Sequence, residues 1–341
     1  MASVTEYFGE QFSDTEFRKN SYEYLRNFVA NNHNWNGTTA PDSDVLVPRL
    51  REELQLLDNR SFAFLLCHTG YIPEDYEHDS SEETIYTKLV EALVQEWAIR
   101  MGFNETDLPK QKSSKEDITV KDSECIIVCD AKSFRLGRSQ KAPNVKDALK
   151  EGDIAKWLQA YKGGERKSLG GMVTFPSQHD WSGGSDFYLY LTNSTLPIVC
   201  LFYEHLAYFL IAGISKNKII DLYKNYQQLF PAQLKKTDGN RAQYWSKVLT
   251  HLFSESKSWS DFNTAAQDVI KEKIHHTIRT VEKHLEDIKD GISKNIPQDA
   301  TNEQLRAWLV EARFELSTFA VDRQLSCIRD FRAHSEDYLA L

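Results

Sequence analysis

Residues 117–132 of the chain, DITVKDSECIIVCDAK, contain the pattern that decides the fold. Two runs rich in β-branched residues, 117–120 and 124–131, are separated by a short polar segment at 121–123, which predicts a β-hairpin. The second run is apolar on both faces between its ends, as in a central strand that is covered on both sides. This stretch therefore predicts a sheet buried among helices.

Segments with a helical spacing of apolar residues lie on both sides of the hairpin. From about residue 205 onward the pattern is helical only, and the apolar residues from Ile270 to Ile292 recur at intervals of three and four. Such a seam is typical of a packed core and, as an alternative, of a dimer contact. The helices predicted before residue 205 span 15–31, 46–58, 82–101, 155–161 and 186–192.

Two further β-rich runs, at 172–175 and 197–202, predict a sheet of mixed direction, and glycine pairs at 163–164, 170–171 and 183–184 predict loops. The predicted fold class is α/β of the α+β type, with a small mixed β-sheet surrounded by helices and a largely helical C-terminal part. One compact domain is the alternative to a division into three regions. Those regions are an N-terminal helical part (1–77), a core (78–235) and a C-terminal helical part (236–341).

Composition narrows the class of protein. Of 341 residues, 41% are hydrophobic and 27% charged, which is typical of a globular chain, and the net charge of −9 argues against a generally basic binder but allows one local basic groove. The N-terminus lacks the features of a signal peptide. The apolar run 196–214 contains Glu204 and His205, which favours a strand entering a buried helix over a membrane span. We therefore expect a cytoplasmic protein with no membrane partner.

The five cysteines predict free thiols. Cys125 and Cys129 have a C-x3-C spacing, but no second pair of cysteines or histidines lies near enough in sequence to complete a zinc site. No G-x-G-x-x-G or G-x4-G-K motif for cradling phosphates occurs, so we expect no nucleotide cofactor.

Three charged side chains are predicted to meet at one end of the hairpin. Side chains alternate along a strand, so Asp130 and Lys132 face the same side with their Cα atoms about 7 Å apart. Asp117 starts the adjoining strand and can approach Asp130. Two carboxylates suit Mg²⁺, which activates water for attack on a phosphodiester, and the lysine offsets the charge that builds up. A salt bridge that caps a strand end is the structural alternative.

The charge distribution favours the functional interpretation. Residues 131–150 contain six basic residues against one acidic residue, whereas residues 71–100 contain eight acidic against two basic. A basic strip beside Asp130 is suited to positioning phosphates, although a charge run is also typical of a solvated surface. The short Asp/Glu-x-basic pattern recurs elsewhere, but only Asp130 ends a predicted buried strand.

The segment that begins at Asp130, DAKSFRLGRSQ, resembles the active-site stretch of HindIII-type type II restriction endonucleases, which belong to the PD-(D/E)XK nuclease superfamily. The likeness continues in SSEETIYTKLVEALVQEW (80–97) and PIVCLFYEHLAYFL (197–210), and covers roughly residues 78–235. The resemblance implies Mg²⁺-dependent, sequence-specific cleavage of double-stranded DNA that leaves 5′-phosphate ends, with Mn²⁺ as a substitute metal. Since both strands are cut, it also implies a homodimer, in a prokaryotic cytoplasm.

Carried over by position, the resemblance makes Asp117 and Asp130 the metal carboxylates and Lys132 the catalytic lysine. The sequence has Glu116 where the superfamily often has proline, and the two aspartates are closer in sequence than in HindIII-like chains, so Asp122 is the alternative to Asp117. For the helix-borne catalytic glutamate the resemblance implies Glu91, with Glu83 and Glu96 as alternatives. The predicted DNA-binding residues, of which Arg138 or Lys141 could read guanine edges, are Lys132, Ser133, Arg135, Arg138, Lys141 and Lys146.

Two other functions stay open from the sequence. The first is a repair or recombination nuclease of the same superfamily without strict sequence specificity. The second is a non-catalytic DNA-binding or helical scaffold protein in which the Asp130–Lys132 pair is structural. Among the histidines, His205 is interpreted as a core residue, His179 as part of a surface loop that either turns or touches DNA, and the pair 275–276 as solvated.

Overall fold

Four strands of the described part of the chain form one sheet. The computed structural model describes residues 4–33, 42–109, 115–138, 148–177, 196–230, 241–254, 257–294 and 302–335. Within these ranges the strands are ordered β1-β2-β3-β4, with β1 antiparallel to β2 and the other neighbours parallel. The small mixed sheet that was predicted is thereby confirmed. The strands span Ile118–Lys121 (β1), Cys125–Ala131 (β2), Lys167–Phe175 (β3) and Ile198–Phe202 (β4).

Helices surround this sheet and form all of the described C-terminal part. They span Val4–Phe8 (α1), Thr15–Tyr22 (α2), Tyr24–Asn32 (α3), Ser43–Gln55 (α4), Asn59–His68 (α5), Ser81–Arg100 (α6), Glu151–Gln159 (α7), Tyr203–Ile211 (α8), Asn217–Lys224 (α9), Tyr226–Leu229 (α10), Arg241–Phe253 (α11), Lys257–Lys294 (α12) and Glu303–Ser335 (α13), with a 3₁₀ turn at Glu10–Ser13.

The hairpin prediction is confirmed, since β1 pairs with β2 across a short connection. β2 lies between β1 and β3, and all its residues except Ala131 are buried, as predicted for a central strand. Helices α6 and α7 both pack against it. The continuous apolar run of β2 is explained by this burial, because neither face of the strand contacts water.

The prediction of a loop at Gly170 and Gly171 is wrong, because both residues lie inside β3. Gly170 has φ +153°, and a Cβ atom there would lie 2.2 Å from the carbonyl oxygen of Pro197. The glycine therefore allows a close approach between two chain segments and not a turn. The pair at 163–164 lies in a turn as predicted, and the pair at 183–184 lies outside the described residues.

The predicted helix at 15–31 is two helices, α2 and α3, separated at Glu23, whose backbone leaves the helical region (φ −98°, ψ 4°). Helix α5 was not predicted. The helix predicted at 186–192 lies outside the described residues.

One apolar core joins residues from the N-terminal helices, the sheet and the C-terminal helices, for example Phe64, Val128 and Phe262. The predicted regions 1–77, 78–235 and 236–341 all contribute to it, and the boundaries between them stay a prediction.

A smaller apolar cluster contains the seam of α12. Its residues from Ile270 to Leu285 pack with Leu325 and Ile328 of α13 and with Tyr71 and Leu136. The core interpretation of the seam is therefore confirmed for these residues. Their apolar side chains are covered within the chain, so these residues do not support the alternative of a dimer contact.

The run 196–214 forms β4 and α8, with Glu204 and His205 buried, so the prediction of a strand entering a buried helix is confirmed. In the part of the chain that the structure describes, no helix combines the length and apolar character needed to cross a membrane.

Candidate active site

The pairing of β1 with β2 brings Asp117 and Asp130 together. Ile118 lies opposite Cys129, so Asp117 enters β1 opposite Asp130. The backbone N–H of Asp117 donates to the carbonyl oxygen of Cys129 at 3.0 Å, and the N–H of Ala131 donates to Asp117 Oδ2 at 3.0 Å. The Asp117 carboxylate is therefore fixed against the end of β2, beside a second aspartate.

Lys132 follows β2 and is anchored through its backbone on both sides. Its N–H donates to the carbonyl oxygen of Thr174 at 2.9 Å, and its own carbonyl accepts from the Tyr203 hydroxyl at 2.8 Å. Its ammonium lies 2.5 Å from Asp130 Oδ2, so the two side chains share one side of the strand as the alternation predicts.

Helix α6 supplies a third acid, and the structure separates the three glutamates considered for this position. Glu83 and Glu96 are each paired with an arginine. Glu91 is buried and lies close enough to Asp117 for its charge to act on that carboxyl. The structure thus brings Glu91 to the two aspartates, while its catalytic role stays a prediction.

A second lysine at the site was missed by the sequence interpretation. Lys88 precedes Glu91 by three positions on α6, and its Nζ lies 2.5 Å from Glu91 Oε2. The i, i+3 spacing to Glu91 was the available signal, because residues three apart share a helix face. We call the group formed by Lys88, Glu91, Asp117, Asp130 and Lys132 the carboxylate cluster.

The electrostatic balance of the carboxylate cluster is visible at Asp117. Burial raises the pKa of this carboxyl above its usual range, and the neighbouring charges of Glu91 and Asp130 raise it further. Lys88 acts in the opposite direction and does not compensate. With all three carboxyls ionised, three negative charges would face two ammonium groups, and the raised pKa of Asp117 means that this carboxyl relieves the surplus by retaining a proton.

Asp122, the alternative to Asp117, lies at the other end of the hairpin. Lys216 Nζ is 2.6 Å from its Oδ2, and the backbone N–H groups of Glu124 and Cys125 donate to its Oδ1. Burial opposes ionisation of Asp122, but these donors outweigh it and lower its pKa to about 2. Asp122 is thus a turn residue paired within the protein.

The carboxylate cluster fits a hard cation by its chemistry. Its acidic side chains offer only oxygen atoms, the ligand type that Mg²⁺ prefers, and a cation could take the place of the proton that the raised pKa of Asp117 retains. Among the described residues, however, no three His, Cys, Asp or Glu side chains form a ready-made ligand set. Mg²⁺ commonly uses one or two carboxylates with water and substrate phosphate, so two aspartates suffice for the fit.

Arg135, predicted to bind DNA, is buried in the protein. Its guanidinium donates to the carbonyl oxygens of Pro73 and Glu77 at 3.2 and 3.3 Å and to Glu83 Oε2 at 3.0 Å. In return, Glu74 accepts from the N–H of Gly137 at 2.9 Å. The acidic stretch 71–100 and the basic stretch 131–150 thus partly neutralise each other. We therefore expect Arg135 to stabilise the fold and not to neutralise a phosphate.

The other predicted DNA contacts stay predictions. Arg138 is half-buried, donates to the carbonyl oxygen of Arg135 at 2.9 Å and lies over the Phe134 ring at 5.4 Å. Ser133 is half-buried beside Lys132. Three candidates lie outside the described residues, namely Lys141, Lys146 and His179.

Two histidines have defined roles in the fold. His205 is buried, its Nδ1 accepts from the N–H of Phe202 at 3.0 Å, and burial lowers its pKa to about 3, which confirms a core histidine. The expectation that the pair 275–276 is solvated is wrong for His276, whose Nε2 lies 2.7 Å from Glu23 Oε1.

Comparison with known proteins identifies the family. The sequence model of the HindIII restriction endonuclease family matches residues 26–318, well beyond the stretch 78–235 in which the resemblance was noted, and so includes most of the helical parts. No curated protein matches the chain. The match covers the carboxylate cluster and most of the chain around it. The chain therefore belongs to the HindIII restriction endonuclease family, a family of hydrolases that cleave DNA at specific sequences.

Proposed function

We propose that this protein is a type II restriction endonuclease that uses Mg²⁺, or Mn²⁺ in its place, to cut both strands of a DNA site. The observation that carries the proposal is the carboxylate cluster at the end of β2, inside a chain of a restriction endonuclease family. Asp130 and Lys132 there have the order and spacing of the PD-(D/E)XK motif. This order and spacing support the carboxylate cluster, among the described acidic groups, as the proposed cleavage site.

Each residue would have a separate task. Asp117 and Asp130 would hold the metal ion, which supplies polarisation of the phosphoryl group and easier deprotonation of water. Lys132, fixed through its backbone by Thr174 and Tyr203, would place its ammonium beside the phosphate and offset the growing negative charge. Glu91 would provide the third carboxylate.

The bond changes are those of hydrolysis. The water oxygen forms a new bond to phosphorus, the bond from phosphorus to the 3′ oxygen breaks, and that oxygen takes up a proton. The products would be a 5′-phosphate and a 3′-hydroxyl. Because one site cuts one strand at a time, we also propose a homodimer in which two carboxylate clusters are related by a two-fold axis.

The test of the proposed function is cleavage of phage DNA by the purified protein in Mg²⁺ or in EDTA, followed by electrophoresis and end sequencing. We expect discrete, Mg²⁺-dependent fragments with 5′-phosphate ends. A Mg²⁺-dependent smear would instead indicate a repair-type nuclease. Intact DNA in both lanes would contradict catalysis and leave the Asp130–Lys132 pair as a structural salt bridge.

The variant Lys132→Ala tests whether DNA cleavage depends on the carboxylate cluster. Loss of its ammonium should reduce the cleavage rate by roughly a hundred- to thousandfold, the cost of removing one group that stabilises developing charge. Lys121→Ala is the matched control, because Lys121 forms a 2.5 Å ion pair with Asp107 at the other end of the same hairpin. Equal rates for the two variants would show that the cluster is not the active site.

A further inference from the structure

We infer that Lys88 is a second functional lysine of the active site, which neutralises Glu91 before a metal ion binds and contacts a DNA phosphate afterwards. The inference rests on the proposed function, and it adds a residue that neither the motif nor its spacing includes. Lys88 lies on α6, away from the strands that carry the aspartates.

Lys88 lies between the buried carboxylate of Glu91 and the solvent. Its Nζ lies 2.5 Å from Glu91 Oε2, and its side chain is 23% exposed while that of Glu91 is 8% exposed. An ordinary Lys–Glu pair on a helix surface contributes little, because water screens both charges. Here the acid is shielded from water and lies beside Asp117, so the ammonium is the nearest compensating charge on α6.

The two lysines of the cluster differ in their access to solvent. Both have hydrogen-bonded backbones, Lys132 through Thr174 and Tyr203 and Lys88 inside α6, and both carry a flexible four-carbon stem with a compact charge. The Lys88 side chain is 23% exposed, whereas that of Lys132 is 14% exposed. The Lys88 ammonium can therefore turn toward the solvent without any change in the backbone.

A divalent cation near Asp117 and Asp130 would repel both ammonium groups. Lys88 is the more exposed of the two, so we expect it to turn away, into the solvent from which DNA would approach. The Lys88 ammonium would pair with Glu91 before the metal ion binds and with a DNA phosphate afterwards, so its charge would be paired in both states. Metal binding and DNA binding would then support each other through one side chain.

Lys88→Met tests this exchange, because methionine keeps the length of the stem and the helix propensity but removes the charge. We would titrate the DNA-free protein with Mn²⁺ by calorimetry. The variant should bind Mn²⁺ roughly three- to tenfold more tightly, since a competing positive charge is gone.

The same variant should bind DNA less tightly in Ca²⁺. The probe is a duplex taken from a phage fragment that the wild type cleaves, and affinity is measured over a range of KCl concentrations. The loss of one phosphate contact should make the slope of log K against log salt shallower by about 0.9. Lys88→Arg should retain the wild-type slope.

Lys19→Met is the matched control, because Lys19 forms a 2.5 Å ion pair with Glu16 over the same three-residue spacing on α2. Unchanged Mn²⁺ affinity and an unchanged salt slope in Lys88→Met, as in this control, would overturn the inference, and so would weaker Mn²⁺ binding. If the wild type shows no metal-dependent cleavage, the proposed function fails first; if it cleaves and Lys88→Met behaves as the control, only the role of Lys88 fails.

Discussion

Two clusters of shielded charges in this protein have opposite electrostatic balances. In the first, which we call the Glu23 cluster, the carboxylate of Glu23 lies 2.7 Å from His276 Nε2, 3.2 Å from Arg26 Nη1 and 3.8 Å from Lys273 Nζ. Burial alone would raise the pKa of Glu23, but the hydrogen bond from His276 and the charges of Lys273, His276 and Arg26 outweigh it and hold the pKa well below its usual range.

The carboxylate cluster has the reverse arrangement, with three acids, two lysines and a raised pKa at Asp117. The Glu23 cluster is completed by groups of the chain itself, whereas the carboxylate cluster lacks positive charge that a metal ion could supply. Cavity size does not point to the carboxylate cluster, because a cavity of about 760 Å³ borders the Glu23 cluster and includes no residue of the carboxylate cluster. A deficit of cations is therefore the better sign of a functional site here.

The largest expected effect comes from Asp130→Asn, which removes one proposed metal ligand and keeps the shape of the side chain. The cleavage rate should fall by roughly a hundred- to thousandfold. The free energy of unfolding in EDTA should stay within about 1 kcal/mol of the wild-type value, because the loss of the ion pair with Lys132 is offset by relief of the repulsion between Asp130 and Asp117.

Urea unfolding and a cleavage assay on the same preparation check both parts. Asp107→Asn is the control for cleavage, since Asp107 pairs with Lys121 away from the cluster. A clear loss of stability in Asp130→Asn would mean that the charges of the carboxylate cluster, like those of the Glu23 cluster, are balanced within the chain. That result would contradict the difference proposed between the two clusters.

Glu23→Gln should have the opposite outcome, with cleavage per folded molecule unchanged and stability reduced by about 2–3 kcal/mol. The reason is that Lys273 is buried, and its ammonium would keep a hydrogen bond to the carbonyl oxygen of Tyr22 but lose its carboxylate. Urea unfolding measures the change. Glu16→Gln, in an exposed pair on α2, should change stability by less than about 0.5 kcal/mol, and a similar value for Glu23→Gln would contradict the prediction.

The sequence predicts one of these clusters and not the other for a physical reason. Asp117, Asp130 and Lys132 lie on one hairpin, where strand alternation and register place them from local spacing alone. Glu23 and His276 are 253 positions apart, and no local pattern relates them. The burial of Arg135 was not predictable for the same reason, since its partners Pro73 and Glu77 lie on a distant loop that charge counting could not position.

The smallest effect, and the one that sharpens the comparison most, is on the pH dependence of stability in EDTA. The lowered pKa of Glu23 contributes stability above the range where a free glutamic acid ionises, and this contribution is lost progressively as the pH falls below about 4.5 toward the lowered pKa. The raised pKa of Asp117 acts oppositely: the folded state holds the proton more tightly, so stability is present below about pH 4 and is lost as the pH rises.

Each variant should therefore change the slope of stability against pH in its own direction. Between pH 4 and 7.5, Asp117→Asn should gain stability relative to the wild type as the pH rises, because it carries no proton that must be released. Glu23→Gln should lose stability relative to the wild type over the same rise. Urea unfolding at several pH values measures both slopes, and slopes of the same sign would show that the two clusters do not differ in balance as their geometry indicates.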